Sequence, residues 1–198
     1  MRKSVLGAGV IPVALQGGEV LFLFQRVFSG RKSGYLIDFG GGLADGESYH
    51  ETAIREFIEE TETMYFSDNL KRAKRTTERV KAQIHVVGNL FEQTMIAYPD
   101  WWCKRMTVNP LRPKDWRTYF IVFPYRDISL LNREWQMDST NRFKKRRELV
   151  WVPADELLKL CARKPGKLWK RVRQLEHLGR HVRSISLTLR RDARLIIH

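Results

Sequence analysis

Two apolar-rich runs open the chain, Val5 to Leu15 and Glu19 to Val27, on either side of Gln16-Gly17-Gly18. Runs of that length around a glycine pair predict a β-hairpin. Residues 28–34 (FSGRKSG) are a loop, and residues 35–39 (YLIDF) a short strand ending at the glycine cluster. From Ser48 to Thr61 the period changes to that of a helix: Ser48 can cap it, Glu51 stands at the capping-box spacing, and Ala53, Ile54, Phe57 and Ile58 form an apolar stripe. Residues 84–98 (IHVVGNLFEQTMIAY) predict one or two strands, and residues 99–116, with three tryptophans and three prolines, a loop. Residues 117–125 (RTYFIVFPY) predict a strand, followed by a polar loop, a strand over residues 148–152 (ELVWV) and a helix over residues 153–160. Further on, Leu168, Val172, Leu175 and Leu178 predict an amphipathic helix, and residues 184–189 (SISLTL) alternate like a strand. The order indicates one α/β domain with a mixed sheet flanked by helices.

Composition narrows the class. The 198 residues are 43% hydrophobic and 29% charged, which suits a folded domain with a full core. No apolar run approaches the roughly 20 residues of a membrane span. The apolar N-terminus resembles a signal peptide only until Pro12 and the Gly17-Gly18 pair interrupt it. Cys103 and Cys161 form no CxxC pair, which argues against a disulfide framework or a zinc site and points to a reducing, cytoplasmic compartment. The net charge of +14 favours polyanionic partners, nucleic acid, polyphosphate or an acidic membrane surface, against a merely basic solvent-facing surface; with no spanning run, no membrane partner is expected. Residues 162–198 concentrate this charge, with eleven Lys and Arg against Glu176 and Asp192. They are therefore set apart as a basic C-terminal segment packed on a domain of residues 1–161.

Against this background residues 40–66 stand out, with three glycines followed by a run of glutamates. On a helix, Glu56, Glu59 and Glu60 fall at i, i+3 and i+4 and share one face. Like charges so spaced repel by a few tenths of a kcal/mol per pair, so something positive is expected to compensate, unless the three simply form a solvated acidic face. Carboxylates without His or Cys suit hard divalent ions, Mg2+ or Mn2+, which commonly bridge to substrate phosphates.

Gly41, Glu47, Arg55, Glu56, Glu59 and Glu60 also keep a fixed spacing: Gly, five residues, Glu, seven residues, Arg-Glu, two residues, Glu-Glu. This resembles the signature of the Nudix hydrolases, which cleave nucleoside diphosphates linked to another moiety. The resemblance spans residues 41–63 and implies an α/β/α sandwich around a central mixed sheet. Glu62 and Thr63 depart from it, because the family has a glycine and then an apolar residue there.

The resemblance implies roles. Glu56, Glu59 and Glu60 hold one to three Mg2+ ions, with Gly40 adding its carbonyl. Arg55 orients a neighbouring carboxylate, Glu47 pairs with Arg55, and the glycines allow close backbone approach. The general base is a helix glutamate or a later one, for which Glu148 is the candidate, with Glu134 and Asp138 as alternatives. The rival role for Glu148 is a surface pair with Arg146 or Arg147. Arg26 is a candidate phosphate contact, and Trp101, Trp102 and Trp116 are candidates for stacking on a base, against the plainer roles of solvent-facing and core residues. His177 and His181 have ligand spacing without an evident third ligand. The implied activity is Mg2+-dependent hydrolysis of a pyrophosphate bond in a nucleotide, dinucleoside polyphosphate or similar anion, by a cytoplasmic enzyme for which the resemblance allows a homodimer. The alternatives are an RNA 5′-end pyrophosphohydrolase and a nucleotide- or RNA-binding protein with weak turnover.

Overall fold

The structure is a computed structural model that describes residues 5–106, 114–143 and 146–196. Its sheet is built on β1 (Val5–Gln16), which runs antiparallel to β2 (Glu19–Val27), antiparallel to β3 (Phe39–Gly42) and parallel to β5 (Lys114–Val122). β4 (Trp102–Lys104) extends the sheet beyond β5, and β6 (Arg147–Pro153) beyond β2, in the order β4-β5-β1-β2-β6. The glycines lie inside β3 rather than after a strand, with Gly40 opposite Gly9 and Gly41 opposite Ala8.

Helices cover both faces. On one face lie α1 (Tyr49–Glu60), α2 (Thr77–Ala97) and α3 (Ser129–Met137), where Ile54, Phe57, Ile58, Val87, Phe91 and Trp135 share a core with Leu23, Tyr119 and Leu149. On the other lie α4 (Ala154–Arg163), the short α5 (Lys170–Arg173) and α6 (Leu178–Ile196), whose Leu157, Val172, Val182 and Ile185 pack on Phe22, Phe24 and Phe120. The expected α/β/α sandwich is present. Among the described residues no helix is long and apolar enough to cross a membrane.

Several elements differ from the sequence expectation. Residues 84–98 belong to the 21-residue helix α2 rather than to strands. Their β-branched residues obscure a helical stripe of Val80, Val87, Phe91 and Thr94, which turns inward while Val86 and Ile96 are exposed. Residues 184–189 are likewise helical: Ile185 and Leu189 lie four apart on the buried face of α6, and Leu187 points outward. The helix expected through Leu168 and Leu178 is broken instead. Leu168 bridges to Leu36 in an extended conformation, and only Lys170–Arg173 close a helical turn. In addition, α3 occupies part of the stretch expected as polar loop, and β4 part of the tryptophan-rich one. Residues 107–113 of that stretch lie outside the described residues.

Candidate active site

The capping box at the start of α1 is formed: Glu51 N donates to Ser48 Oγ, and Ser48 N donates to Glu51. The far end of the helix explains how the chain manages without the glycine. Thr61 caps, and Glu62 and Thr63 both take left-handed conformations, at φ 51° and 62°. Glu62 N donates to Glu59 O at 3.1 Å and Thr63 N to Ile58 O at 2.9 Å, the pair of bonds that closes a helix on a left-handed residue. That conformation costs a residue with a Cβ roughly 1–2 kcal/mol. Burial of both residues and ties from Thr63 to Lys74 and Gln83 hold it in place. The turn is therefore kept while the residue that normally eases it is absent.

The glycine strand and α1 meet where expected. A Cβ on Gly41 would stand 2.1 Å from Glu56 Oε1, so glycine lets that carboxylate lie directly against the strand, and a larger residue would displace it. Arg55 ties loop to helix: it donates to Glu47 through Nε at 2.6 Å and Nη2 at 3.0 Å, to Glu56 Oε1 at 2.8 Å and to Gly42 O at 3.2 Å. Glu47 also accepts from Ala44 N and Thr52 Oγ1. The Arg55 guanidinium, opposed by partial burial, brings the Glu47 carboxyl down to about 2. A depressed carboxyl pKa contributes stability that is full above the unfolded value and is lost as pH falls through the folded one. Stability measured by denaturant titration should accordingly decline from about pH 4.5 towards pH 2, and Glu47→Gln should flatten part of that decline.

The three candidate metal carboxylates are each held by an arginine. Glu56 accepts from Arg55, and Glu59 from Arg75, with Arg55 Nη1 3.6 Å away. Glu60 accepts from Gln25 Nε2 at 2.6 Å and Gly40 N at 2.9 Å, and pairs with Arg147 at 3.1 Å. Arg147 is itself buried and donates to Gln25. The Gly40 carbonyl, expected as a fourth ligand, accepts from Arg171 at 2.9 Å. Among the described residues no three His, Cys, Asp or Glu side chains converge into a preformed cluster. The set still fits a hard divalent cation in chemistry, with three carboxylates on one helical face. Guanidinium groups already balance the repulsion noted in the sequence, so a metal here would exchange with an arginine.

Two clefts flank this face. Glu60 lines one of about 820 Å³, together with Gln25, Phe28, Arg31, Trp135 and Arg147. Lys32 and Arg146 line it too, giving four basic residues to one carboxylate. Glu59 lines the other, about 640 Å³, with Arg55, Arg75 and the start of α2.

Other candidates are placed elsewhere. Arg147 and Leu149 face α1, so Glu148, between them on β6, projects from the opposite face of the sheet with Val150 and Val152. It pairs with its cross-strand neighbour Arg26 at 3.3 Å rather than with Arg146 or Arg147. The alternation of the strand thus places Glu148 and Arg26 on the sheet face opposite the α1 carboxylates. Glu134 pairs with Arg142, and Asp138 accepts from Thr140 and Arg142 in a local turn. Trp101 and Trp116 are buried, Trp101 stacked on Tyr98 at 3.9 Å, and Trp102 is half-buried beneath Arg117. His181 stacks on Phe120, and burial holds its imidazole below the ordinary value. His177 is exposed just before α6.

Residues not anticipated from sequence are Gln25, Arg75, Arg147 and the pair Asp38–Arg171. One signal marks two of them: Gln25 and Asp38 follow directly on apolar runs, and a polar residue buried with such a run demands a partner.

A NUDIX domain profile matches residues 3–175, and the chain belongs to the Nudix family. A stretch of 67 residues is 40% identical to uncharacterized protein L534 of Acanthamoeba polyphaga mimivirus, covering 32% of this chain and 22% of that one. The chain thus spans 22% of the length of the curated relative it matches. The Ap4A hydrolase of C. elegans in a binary complex is 14% identical with a TM-score of 0.49, over 93% of this chain and 97% of that one. A mutT/nudix family protein of Listeria innocua is also 14% identical, with a TM-score of 0.48, over 97% of this chain and 99% of the other.

Proposed function

We infer that the chain hydrolyses a pyrophosphate bond in a nucleotide-type, phosphate-rich substrate, with Mg2+ (or Mn2+) held by Glu56, Glu59 and Glu60. The observation that carries this reading is the placement of Glu60 at the floor of a cleft lined by Arg31, Lys32, Arg146 and Arg147. Such a cleft concentrates negative charge from solution and meets it with one carboxylate suited to a cation.

When bound, the cation neutralises phosphate oxygens and lowers the pKa of a coordinated water. The chain's own groups supply the rest. Arg31 and Arg146 draw the phosphates in, and the buried Arg147, beside Glu60, offers a fixed guanidinium to charge developing on phosphate oxygens. Gln25 and Gly40 N–H hold the Glu60 carboxylate in one orientation, and Arg55 does the same for Glu56. Proton removal from the attacking water falls to the α1 carboxylates, since Glu148 lies across the sheet.

A second reading, a nucleotide binder with little turnover, is favoured by one observation: arginine already holds all three carboxylates. A panel of nucleoside di- and triphosphates, dinucleoside polyphosphates and nucleotide sugars, incubated with Mg2+ and analysed chromatographically, separates the two. Turnover of a panel member supports hydrolysis. Saturable binding without any product supports the binder.

A further inference from the structure

We propose that a surface beside the candidate cleft, where the loop of residues 28–37 meets the α4–α5 connection, binds single-stranded nucleic acid and carries it to the cleft mouth. The two segments are far apart in sequence and are stitched by backbone bonds: Leu36 N donates to Lys167 O at 3.0 Å, and Trp169 N donates to Leu36 O at 2.9 Å. Neither residues 28–37 nor residues 157–175 contain an aspartate or glutamate. Their joined surface exposes Arg31, Lys164, Lys167 and Lys170.

Aromatic rings are interleaved with these charges. Trp169 and Tyr35 meet edge to face at 5.4 Å, and the Arg31 and Lys32 head groups stand over the Trp169 ring at 5.9 and 5.8 Å. Phe28, 53% exposed, sits at the cleft. The loop is continuous between two hollows. Residues 28–32 line the 820 Å³ cleft that reaches Glu60, while Ser33, Gly34 and Tyr35 line a second of about 430 Å³ with Lys164, Gly166 and Lys167. A track of cations with rings along it is the chemistry that holds a single strand, the cations meeting phosphates and the rings meeting exposed bases. The proposal builds on the reading of the cleft given above, but the binding it requires does not depend on hydrolysis.

The test is fluorescence anisotropy with a 3′-labelled 12-nucleotide RNA, in EDTA so that no metal-dependent cleavage occurs, over a range of salt concentrations. Lys164→Glu combined with Lys167→Glu should weaken binding at least tenfold at low salt. It should also reduce the slope of log K against log salt by about 1.4, from about 0.7 per lost phosphate contact on a single strand. The exposed pair Arg180→Glu and Arg183→Glu on α6 should leave the slope within 0.3 of wild type if the track is specific (about one half of a contact). Unchanged RNA binding in the Lys164/Lys167 variant overturns the proposal. So does an equal loss of long-chain polyphosphate binding in that variant, which would mark a general polyanion surface. Loss of binding only to phosphatidylserine vesicles also overturns it. A protein that binds RNA along the track but hydrolyses nothing in the nucleotide panel contradicts the enzymatic reading and leaves this one standing.

Discussion

Replacing Arg171 by alanine should lower the free energy of unfolding by about 3–5 kcal/mol, the usual cost of leaving one member of a buried ion pair alone. Asp38 is fully buried, and Arg171 reaches it from the other end of the chain. Nε donates to Asp38 Oδ1 at 2.7 Å, Nη2 to Asp38 O at 3.0 Å and Nη1 to Gly40 O at 2.9 Å. The guanidinium also lies over Trp116 at 4.3 Å. Three separate acceptors and a ring face suit a planar fork, so Arg171→Lys should recover only part of the loss. The consequence reaches the site, because the carbonyl that Arg171 holds belongs to the residue whose N–H holds Glu60. Urea denaturation of the three proteins measures the effect. A loss below about 1 kcal/mol, the range of an exposed pair, would show that this contact does not brace the glycine strand.

Glu60→Gln should reduce turnover at least about 100-fold, the scale expected when a metal ligand or its immediate support is removed. Glutamine keeps the length of the side chain and can still accept from Gly40 N–H. It removes the negative charge that pairs with Arg147 and that a divalent ion requires. Glu148→Gln, by contrast, should keep activity within a few-fold, because that side chain leaves the opposite face of the sheet. Steady-state kinetics on whichever nucleotide the panel identifies, with melting curves to establish folding, reads both. Comparable losses in the two variants would contradict the placement of the chemistry on α1.

Much of the frame was legible in the residues. The hairpin, α1 with its capping box, β6 and α4 follow from periodicity and capping, and the Nudix spacing marked the helix that presents the carboxylates. The errors have a physical pattern. Residues 84–98 and 184–189 are rich in β-branched or alternating residues, and their local preference for strand yields to the helical faces they bury. For Glu148, residue type and place in the chain do not reveal the sheet face, which strand alternation decides. Arg75, Arg147 and Arg171 were hidden for a different reason. In a chain with 36 Lys and Arg, no local pattern separates an arginine that reaches a buried or half-buried carboxylate from one in solvent. Nor did the residue types show that Glu62 and Thr63 keep the left-handed turn, since contacts far along the chain sustain it.

The most direct test of pyrophosphate hydrolysis is to run the reaction in 18O-labelled water with Mg2+ and weigh the products by mass spectrometry. Attack by water on phosphorus places one 18O atom in a phosphorylated product and none in the nucleoside or sugar hydroxyls, and Glu60→Gln should abolish the labelled product. Absence of any labelled phosphate across the nucleotide panel, with the folded wild-type protein and either Mg2+ or Mn2+, would contradict it.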